Sequence, residues 1–349
     1  MSQTPSVPPT RWAILGTGKI AGSFARDLAV TPGAELVAVG SRSAGSAEAF
    51  CAEHGGAAYA TYESLLADAA SVGVDAVYVS SPHSHHDAHA RMVLDAGLPV
   101  LCEKPLTLDA HTTADLLAYA RDRGVFCMEA MWTACHPTVR ETARLLAAGE
   151  LGQPRQLRAG LGFAVPADPD SRMWDPALGA SAVLDMGIYP LTLADLLLGE
   201  PATVQAVGTV DDRGVDTDVA MALAYDSGAV AALTVTMTSH PATDALVATS
   251  TGTLVLEAPF HHPPRVVFTP AAAGSDNDSG GPDAREERVI TGEEPVLGSG
   301  YGNEAAEVAR CLAAGRLEST LWPHAASVRL AEQMDRVRHL VGGGPLGAG

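Results

Sequence analysis

Apolar residues in the first third of the chain come in short unbroken runs, and between these runs they recur every three or four positions. Such runs read as strands buried on both faces, the spaced stretches as amphipathic helices, and their alternation as a parallel sheet covered by helices. The strands are Arg11 to Leu15, Glu35 to Val39, Asp75 to Ser80, Val100 to Cys102 and Val125 to Glu129. The helices run to about Ala29, then from Ala44 to His54, Tyr62 to Ala70, Ser84 to Ala96 and Asp109 to Arg123. After a helix from Thr138 to Ala148 the pattern changes. Arg155 to Phe163, Thr203 to Val210, Thr217 to Tyr225, Ala229 to Thr238, Ala245 to Thr249 and Thr253 to Glu257 alternate small polar with apolar residues across turns such as Asp226-Ser227-Gly228. That alternation predicts a mostly antiparallel sheet with one face on a core and another that must meet something else. Helices from Asn303 to Ala314 and Pro323 to Val341 follow.

A chain of 349 residues is long for one core, so two domains are expected. The change of pattern puts the first at residues 11–133 and the second at 134–342, with a disordered leader at 1–10 and a frayed tail at 343–349. Residues 271–284, rich in Gly, Asp, Ser and Pro, read as a mobile loop. The net charge of −19, with no basic run, argues against nucleic acid and anionic membranes as partners. No signal segment and no stretch of about eighteen apolar residues is apparent, which suggests a cytoplasmic protein. Five cysteines without a C-x-x-C spacing give little support to zinc or to a disulfide framework.

Chemistry gathers at the ends of the predicted parallel strands, where open sheets bind ligands. The first strand runs into Gly16-Thr17-Gly18-Lys19-Ile20-Ala21, a G-x-G-x-x-A turn before a helix. The first glycine permits the tight turn, the second lets main-chain N–H groups approach a pyrophosphate, and Ala21 allows close helix packing. The second strand ends in Gly40-Ser41-Arg42-Ser43. A carboxylate there would accept from the ribose 2′-hydroxyl of NAD; Ser41 and Arg42 suit a 2′-phosphate instead, so NADP is expected in preference to NAD. Beyond the strand at Asp75 to Ser80 come Ser81-Pro82-His83-Ser84-His85-His86-Asp87-Ala88-His89. Four histidines in seven positions raise a metal site, but no cysteine or paired carboxylate completes a shell, and no metal is expected. Pro82 and His83 lie where a loop passes the nicotinamide end of a dinucleotide, and Ser81 and His86 beside them are expected among the cofactor contacts.

The next strand ends in Glu103-Lys104-Pro105. Of 22 basic residues only Lys19 and Lys104 are lysine, and the other twenty are arginine. Lysine presents a compact ammonium and can release its proton, which arginine cannot. Met128-Glu129-Ala130-Met131-Trp132-Thr133 leads out of the first domain, with Trp132 either a pocket wall or a core residue. In the second domain, a helix from Ser181 would place Asp185 and Tyr189 on one face, a carboxylate and a phenol able to hold a hydroxyl and move its proton. Gly187 and Pro190 conflict with helix propensity there, as functional sites often do.

Together, the turn at Gly16, Glu103-Lys104-Pro105, Met128 to Thr133 and Leu184-Asp185-Met186-Gly187-Ile188-Tyr189 resemble the glucose-fructose oxidoreductase, inositol dehydrogenase and MocA family. Within it the resemblance is strongest to the dimeric dihydrodiol dehydrogenase and NADP-dependent D-xylose dehydrogenase branch, and it covers almost the whole chain. It implies an α/β protein: an N-terminal Rossmann domain, then an α/β domain whose large, mostly antiparallel open sheet often mediates dimers or higher homo-oligomers. It implies Lys104 and Tyr189 as the catalytic lysine and acid/base, Asp185 as the carboxylate that orients substrate, and Glu103 beside Lys104 at the cofactor. The expected reaction is hydride exchange between a nicotinamide and a carbinol or hemiacetal carbon of a sugar, polyol or cyclic diol. The alternatives are a sugar-sugar oxidoreductase with tightly bound NADP and a non-catalytic NADP-binding regulator. Ala134-Cys135-His136 and Ala180-Ser181 depart from the branch pattern beside the expected pocket.

Overall fold

In the computed structural model, residues 9–166, 168, 171–271, 286–344 and 346 are described. The predicted loop at 271–284 falls outside them except for Ala271, as do most of the leader and of the tail. The chain forms two compact units, one of the residues up to Cys135 with Val296–Ala331, the other of His136–Pro295 with the chain from Glu332 onward.

The first unit alternates strands and helices: β1 (Thr10–Leu15), α1 (Lys19–Leu28), β2 (Ala34–Gly40), α2 (Ala44–His54), β3 (Ala57–Tyr59), α3 (Tyr62–Val72), β4 (Ala76–Val79), α4 (His86–Asp95), β5 (Val100–Glu103), α5 (Ala110–Asp122), β6 (Cys127–Ala130) and α6 (Trp132–Cys135). The strands form one six-stranded sheet in the order β3-β2-β1-β4-β5-β6, and every pair is parallel. β4, β5 and β6 are buried at every residue, because helices cover both faces. On one face Trp12, Phe24 and Tyr78 pack as a group, with the Phe24 and Tyr78 rings stacked at 3.9 Å. On the other, Leu65, Val93, Leu94, Leu116 and Leu117 close over Val77, Val79 and Cys102.

Helix starts in this unit follow from local chemistry. Ser43, Thr61 and Asp109 cap α2, α3 and α5 by accepting main-chain N–H groups, each cap worth about 1 kcal/mol. α1 starts at Gly18 with no side-chain cap.

The second unit carries α7 (Pro137–Ala147), β7 (Pro154–Gly162), α8 (Ile188–Leu198), β8 (Thr203–Val210), β9 (Asp216–Ala224), β10 (Val230–Thr236), β11 (Ala245–Thr249), β12 (Gly252–Leu256), β13 (Val266–Pro270) and β14 (Arg288–Ile290). Among the described residues its eight strands run β14-β13-β12-β11-β7-β10-β9-β8, antiparallel except where β7 meets β10. β10 alternates strictly until its last residue: Ala231, Leu233 and Val235 are buried, while Val230, Ala232 and Thr234 are exposed. The outward face includes Val207 at 72% exposure and Val230 at 44%. Residues Pro176–Leu198, with mean hydropathy 1.4, are long and apolar enough to cross a membrane, which the sequence reading passes over. They are 78% buried within the protein, as a core helix is.

The last helices are α9 (Tyr301–Ala313) and α10 (His324–Val341). Here the single boundary at 133/134 is corrected, since Val296–Ala331 belongs to the first unit. Asp27, buried on α1, accepts the N–H groups of Ser299 and Tyr301 at 2.7 and 3.0 Å and so caps the start of α9. Trp322 donates its indole N–H to Glu129 at 3.1 Å, and the main-chain N–H of Cys127 donates to the Leu317 carbonyl. These partners lie more than 180 residues away in sequence, beyond the reach of any local pattern.

Candidate active site

In the first unit the strand order reverses between β1 and β4, the place outside the carboxyl ends of the strands at which open sheets bind ligands. Gly16 has φ +118°, and a Cβ there would lie 2.8 Å from Ser80 Oγ, so the turn requires glycine on both counts. A Cβ at Gly18 would meet open space, and α1 starts without a side-chain N-cap. Lys19 is exposed, and Thr17 and Ile20 are half-buried. At the end of β2, Ser41 is buried with its hydroxyl 3.4 Å from that of Thr17, while Arg42 is exposed. The Arg42 charge acts on Tyr62 and on His89, whose Nδ1 lies 2.8 Å from Ser81 Oγ. An open, uncapped helix start, beside a hydroxyl and a guanidinium and without a carboxylate at the carboxyl end of β2, fits a dinucleotide carrying a 2′-phosphate.

Ser81 and Pro82 are half-buried after β4, and His83 is buried. His86 was expected among the cofactor contacts, and this is corrected. Its ring is fully buried, with Nδ1 2.7 Å from the Pro105 carbonyl oxygen and Nε2 2.8 Å from that of Ser81. It supports the main chain at Pro105 and Ser81, and its buried ring presents no atom at the surface.

Lys104 is half-buried directly after β5. The turn that carries it is braced from three sides. Glu103 turns its carboxylate inward, accepting from the Tyr78 hydroxyl and from the Lys104 N–H. Burial raises the pKa of Glu103, and the Lys104 charge opposes that rise. Leu106 donates its N–H at 2.8 Å to Glu129, a buried carboxylate that also holds Trp322 and Ser327. His86 is the third brace. Trp132, a possible pocket wall, stacks on Tyr301 at 4.5 Å and 10°, which favours the packing role.

In the second unit, Asp185 lies in a π-helical turn, Val183–Gly187, and Tyr189 is the second residue of α8. The expected regular helix is therefore replaced by a wide turn, with Ile188 donating its N–H to the Val183 carbonyl. Pro190 explains it: proline has no N–H for the carbonyl four residues back and its ring crowds that carbonyl. Ser181 does start the segment, its hydroxyl accepting from the Leu184 N–H. That hydroxyl donates to Asp216, a fully buried carboxylate that also accepts from the Val183 N–H at 2.8 Å and pairs with Arg338 at 3.1 Å. The buried Asp185 carboxylate lies 3.6 Å from Arg172. Tyr189 packs at 4.6 Å on His261, next to His262. His136 is pulled down to about 4 by burial and by the His262 charge.

Asp185 and Tyr189 thus lie on adjoining helical elements of the second unit, and Lys104 with the nucleotide residues forms the candidate site of the first. Sequence reasoning missed Arg172, His261 and Asp216. Paired histidines before two prolines, His261-His262-Pro263-Pro264, were a readable signal; the ion pairs of Arg172 and Asp216 were not.

Comparison with known proteins covers both units. Residues 10–131 match the family model described as an oxidoreductase family with an NAD-binding Rossmann fold, and residues 139–255 match the GFO/IDH/MocA C-terminal domain. Among curated relatives, a trans-1,2-dihydrobenzene-1,2-diol dehydrogenase of Danio rerio is 32% identical over 95% of this chain and 97% of its own. A D-xylose 1-dehydrogenase (NADP(+)) of Hypocrea jecorina is 33% identical over 93% and 90%. Among solved structures, KijD10, a 3-ketoreductase from Actinomadura kijaniata in complex with NADP and TDP-benzene, superposes with a TM-score of 0.80 at 28% identity over 95% of this chain and 98% of its own. With both halves matched and whole-length relatives above 30% identity, this chain belongs to the GFO/IDH/MocA oxidoreductase family.

Proposed function

We propose that the protein is an NADP-dependent dehydrogenase or reductase acting on a CH–OH group of a sugar, polyol or cyclic diol. The observation that carries the proposal is the uncapped start of α1 beside Ser41 and Arg42, at the same sheet end as Lys104. The named activities of the dihydrodiol and xylose dehydrogenases and of the NADP-bound ketoreductase support it. When bound, the nicotinamide supplies the hydride acceptor or donor.

The chain's own residues supply the rest. In oxidation Tyr189 takes the hydroxyl proton. A free phenol, with a pKa near 10, is a poor base at neutral pH, so a cation must favour the phenolate, and Lys104 is assigned that task. Asp185 accepts from a substrate hydroxyl and fixes the carbinol, with Arg172 beside the carboxylate to orient it. Solved structures of the ketoreductase include variants with one lysine or one tyrosine replaced. We assign a cytoplasmic location and a homodimer formed through the outward face of the eight-stranded sheet, where Val207 and Val230 lie exposed.

The test is initial-rate kinetics of Lys104→Met and Tyr189→Phe. Each is expected to lower kcat by about 10²–10⁴ with nucleotide affinity retained, the range for loss of a positioned proton-transfer group. Unchanged turnover in either variant would remove that residue from the mechanism. Nucleotide that stays bound through purification would favour exchange between two sugars on one bound cofactor.

A further inference from the structure

His86 opens α4, and no part of its ring reaches solvent. The carbonyl oxygens of Pro105 and Ser81, at 2.7 and 2.8 Å from its two nitrogens, can only accept. Each contact is a hydrogen bond only where the nitrogen carries a proton, and a neutral imidazole carries one. The groups facing the ring are His83 from the turn before α4, with centroids 5.6 Å apart, His89 further along α4, and Lys104 after β5. Burial, the largest influence, pulls the ring's pKa down to about 4, with the Lys104 and His89 charges acting the same way and the two carbonyls opposing. Near neutral pH the ring therefore has one N–H for two carbonyls.

The two carbonyls belong to different parts of the site. Pro105 follows Lys104, so holding its carbonyl fixes the lysine's turn. Ser81 begins the loop with Pro82 and His83 that passes the nucleotide. We propose that His86 is a positioning residue for Lys104 that works as a two-position latch. With its proton on Nδ1 it holds the Pro105 carbonyl and the Lys104 turn; with the proton on Nε2 it holds the Ser81 carbonyl and the loop. In the free enzyme the proton sits on Nε2 and steadies the loop. A bound nucleotide steadies the loop itself and leaves the ring to the Lys104 turn. No proton is gained or lost overall: the ring gives one up at Nε2 and takes one at Nδ1. The inference rests on the nucleotide reading above for what the Ser81 loop receives.

The test is ¹H–¹⁵N correlation spectroscopy of the full-length protein with labelled histidine, His86 being assigned by its loss in His86→Asn. At pH 7 one protonated nitrogen is expected, Nε2 in the free protein and Nδ1 with NADPH. A doubly protonated ring, or the same nitrogen protonated in both states, overturns the latch. Failure of the wild-type protein to bind NADPH, read by its fluorescence, removes the nucleotide reading and the latch together; binding with an unchanged tautomer removes the latch alone. Two variants read the same point independently. His86→Asn keeps a donor near Nδ1 and should hold kcat within about threefold while weakening NADPH about tenfold; His86→Gln keeps one near Nε2 and should do the reverse. Equal losses in both variants, following a fall in Tm, would reduce His86 to packing and overturn the proposal.

Discussion

At the scale of single residues, the most telling groups are buried carboxylates that the sequence presents as ordinary acids. Glu304 is fully buried at the start of α9, and neither carboxylate oxygen has a hydrogen-bond partner among the described residues. Burial, followed by the charges of Glu103 and Asp27, pushes its pKa well above the usual carboxylate range. The folded protein then keeps a proton that the unfolded chain releases above about pH 4.3. Its contribution to stability is present below that pH and is lost as pH rises towards the folded pKa. Glu304→Gln removes this dependence, so its gain in Tm over wild type should be larger at pH 8 than at pH 4, by about 2–4 °C per kcal/mol recovered. An equal shift at both pH values, measured by thermal unfolding, contradicts the assignment. Arg172 poses a different question. Its side chain is 46% exposed, so its pairing with Asp185 is worth only about 1 kcal/mol. Arg172→Gln should lower kcat/KM about fivefold, mainly through KM, if it orients the carboxylate that receives substrate.

At the scale of elements, the parallel strands and their helices were legible because burial on both faces leaves unbroken apolar runs, as in β4 and β5. The glycine turn was legible for a similar reason, since few residues tolerate the conformation of Gly16. The short strands β3, β13 and β14 escaped notice, because three to five residues carry too little periodicity. The π turn at Val183–Gly187 was visible only as a conflict, a glycine and a proline inside an apolar helical pattern. What holds that turn in place was invisible, because Asp216 lies 35 residues from Ser181 and 122 from Arg338. Removing one partner of such a buried pair strands the other's charge. Asp216→Ala should therefore cost about 3–5 kcal/mol in urea unfolding, while Asp216→Asn with Arg338→Met should recover most of it. A loss below about 1 kcal/mol for Asp216→Ala would mean that the turn holds itself.

At the scale of the whole molecule, a boundary drawn from the change of pattern leaves out of the first unit α9 and the opening turns of α10, which belong to it. Asp27, Glu129 and Cys127 bind residues 296–331 through contacts of long sequence range, which no periodicity reports. The outward sheet face was legible as a strand alternation whose exposed side carries Val207 and Val230. If that face joins two copies, light scattering should give twice the 35.9 kDa of one chain, and Val207→Asp with Val230→Asp should give the single-chain mass with turnover per fold retained or reduced. A monomer in the unaltered protein contradicts that assignment.

The central claim is the proposal that Lys104, Asp185 and Tyr189 each serve the oxidation of a carbinol by a nucleotide selected by Ser41 and Arg42. Its most direct test is the initial rate of nicotinamide reduction with NADP⁺ and with NAD⁺, across aldopyranoses, inositols and cyclic diols, for the wild type and for Arg42→Ala. Turnover of one substrate class, with NADP⁺ preferred about tenfold or more and the preference erased in Arg42→Ala, is the predicted result. Absence of reduction with every pair while nucleotide binds, or an NADP⁺ preference indifferent to Arg42, would contradict it.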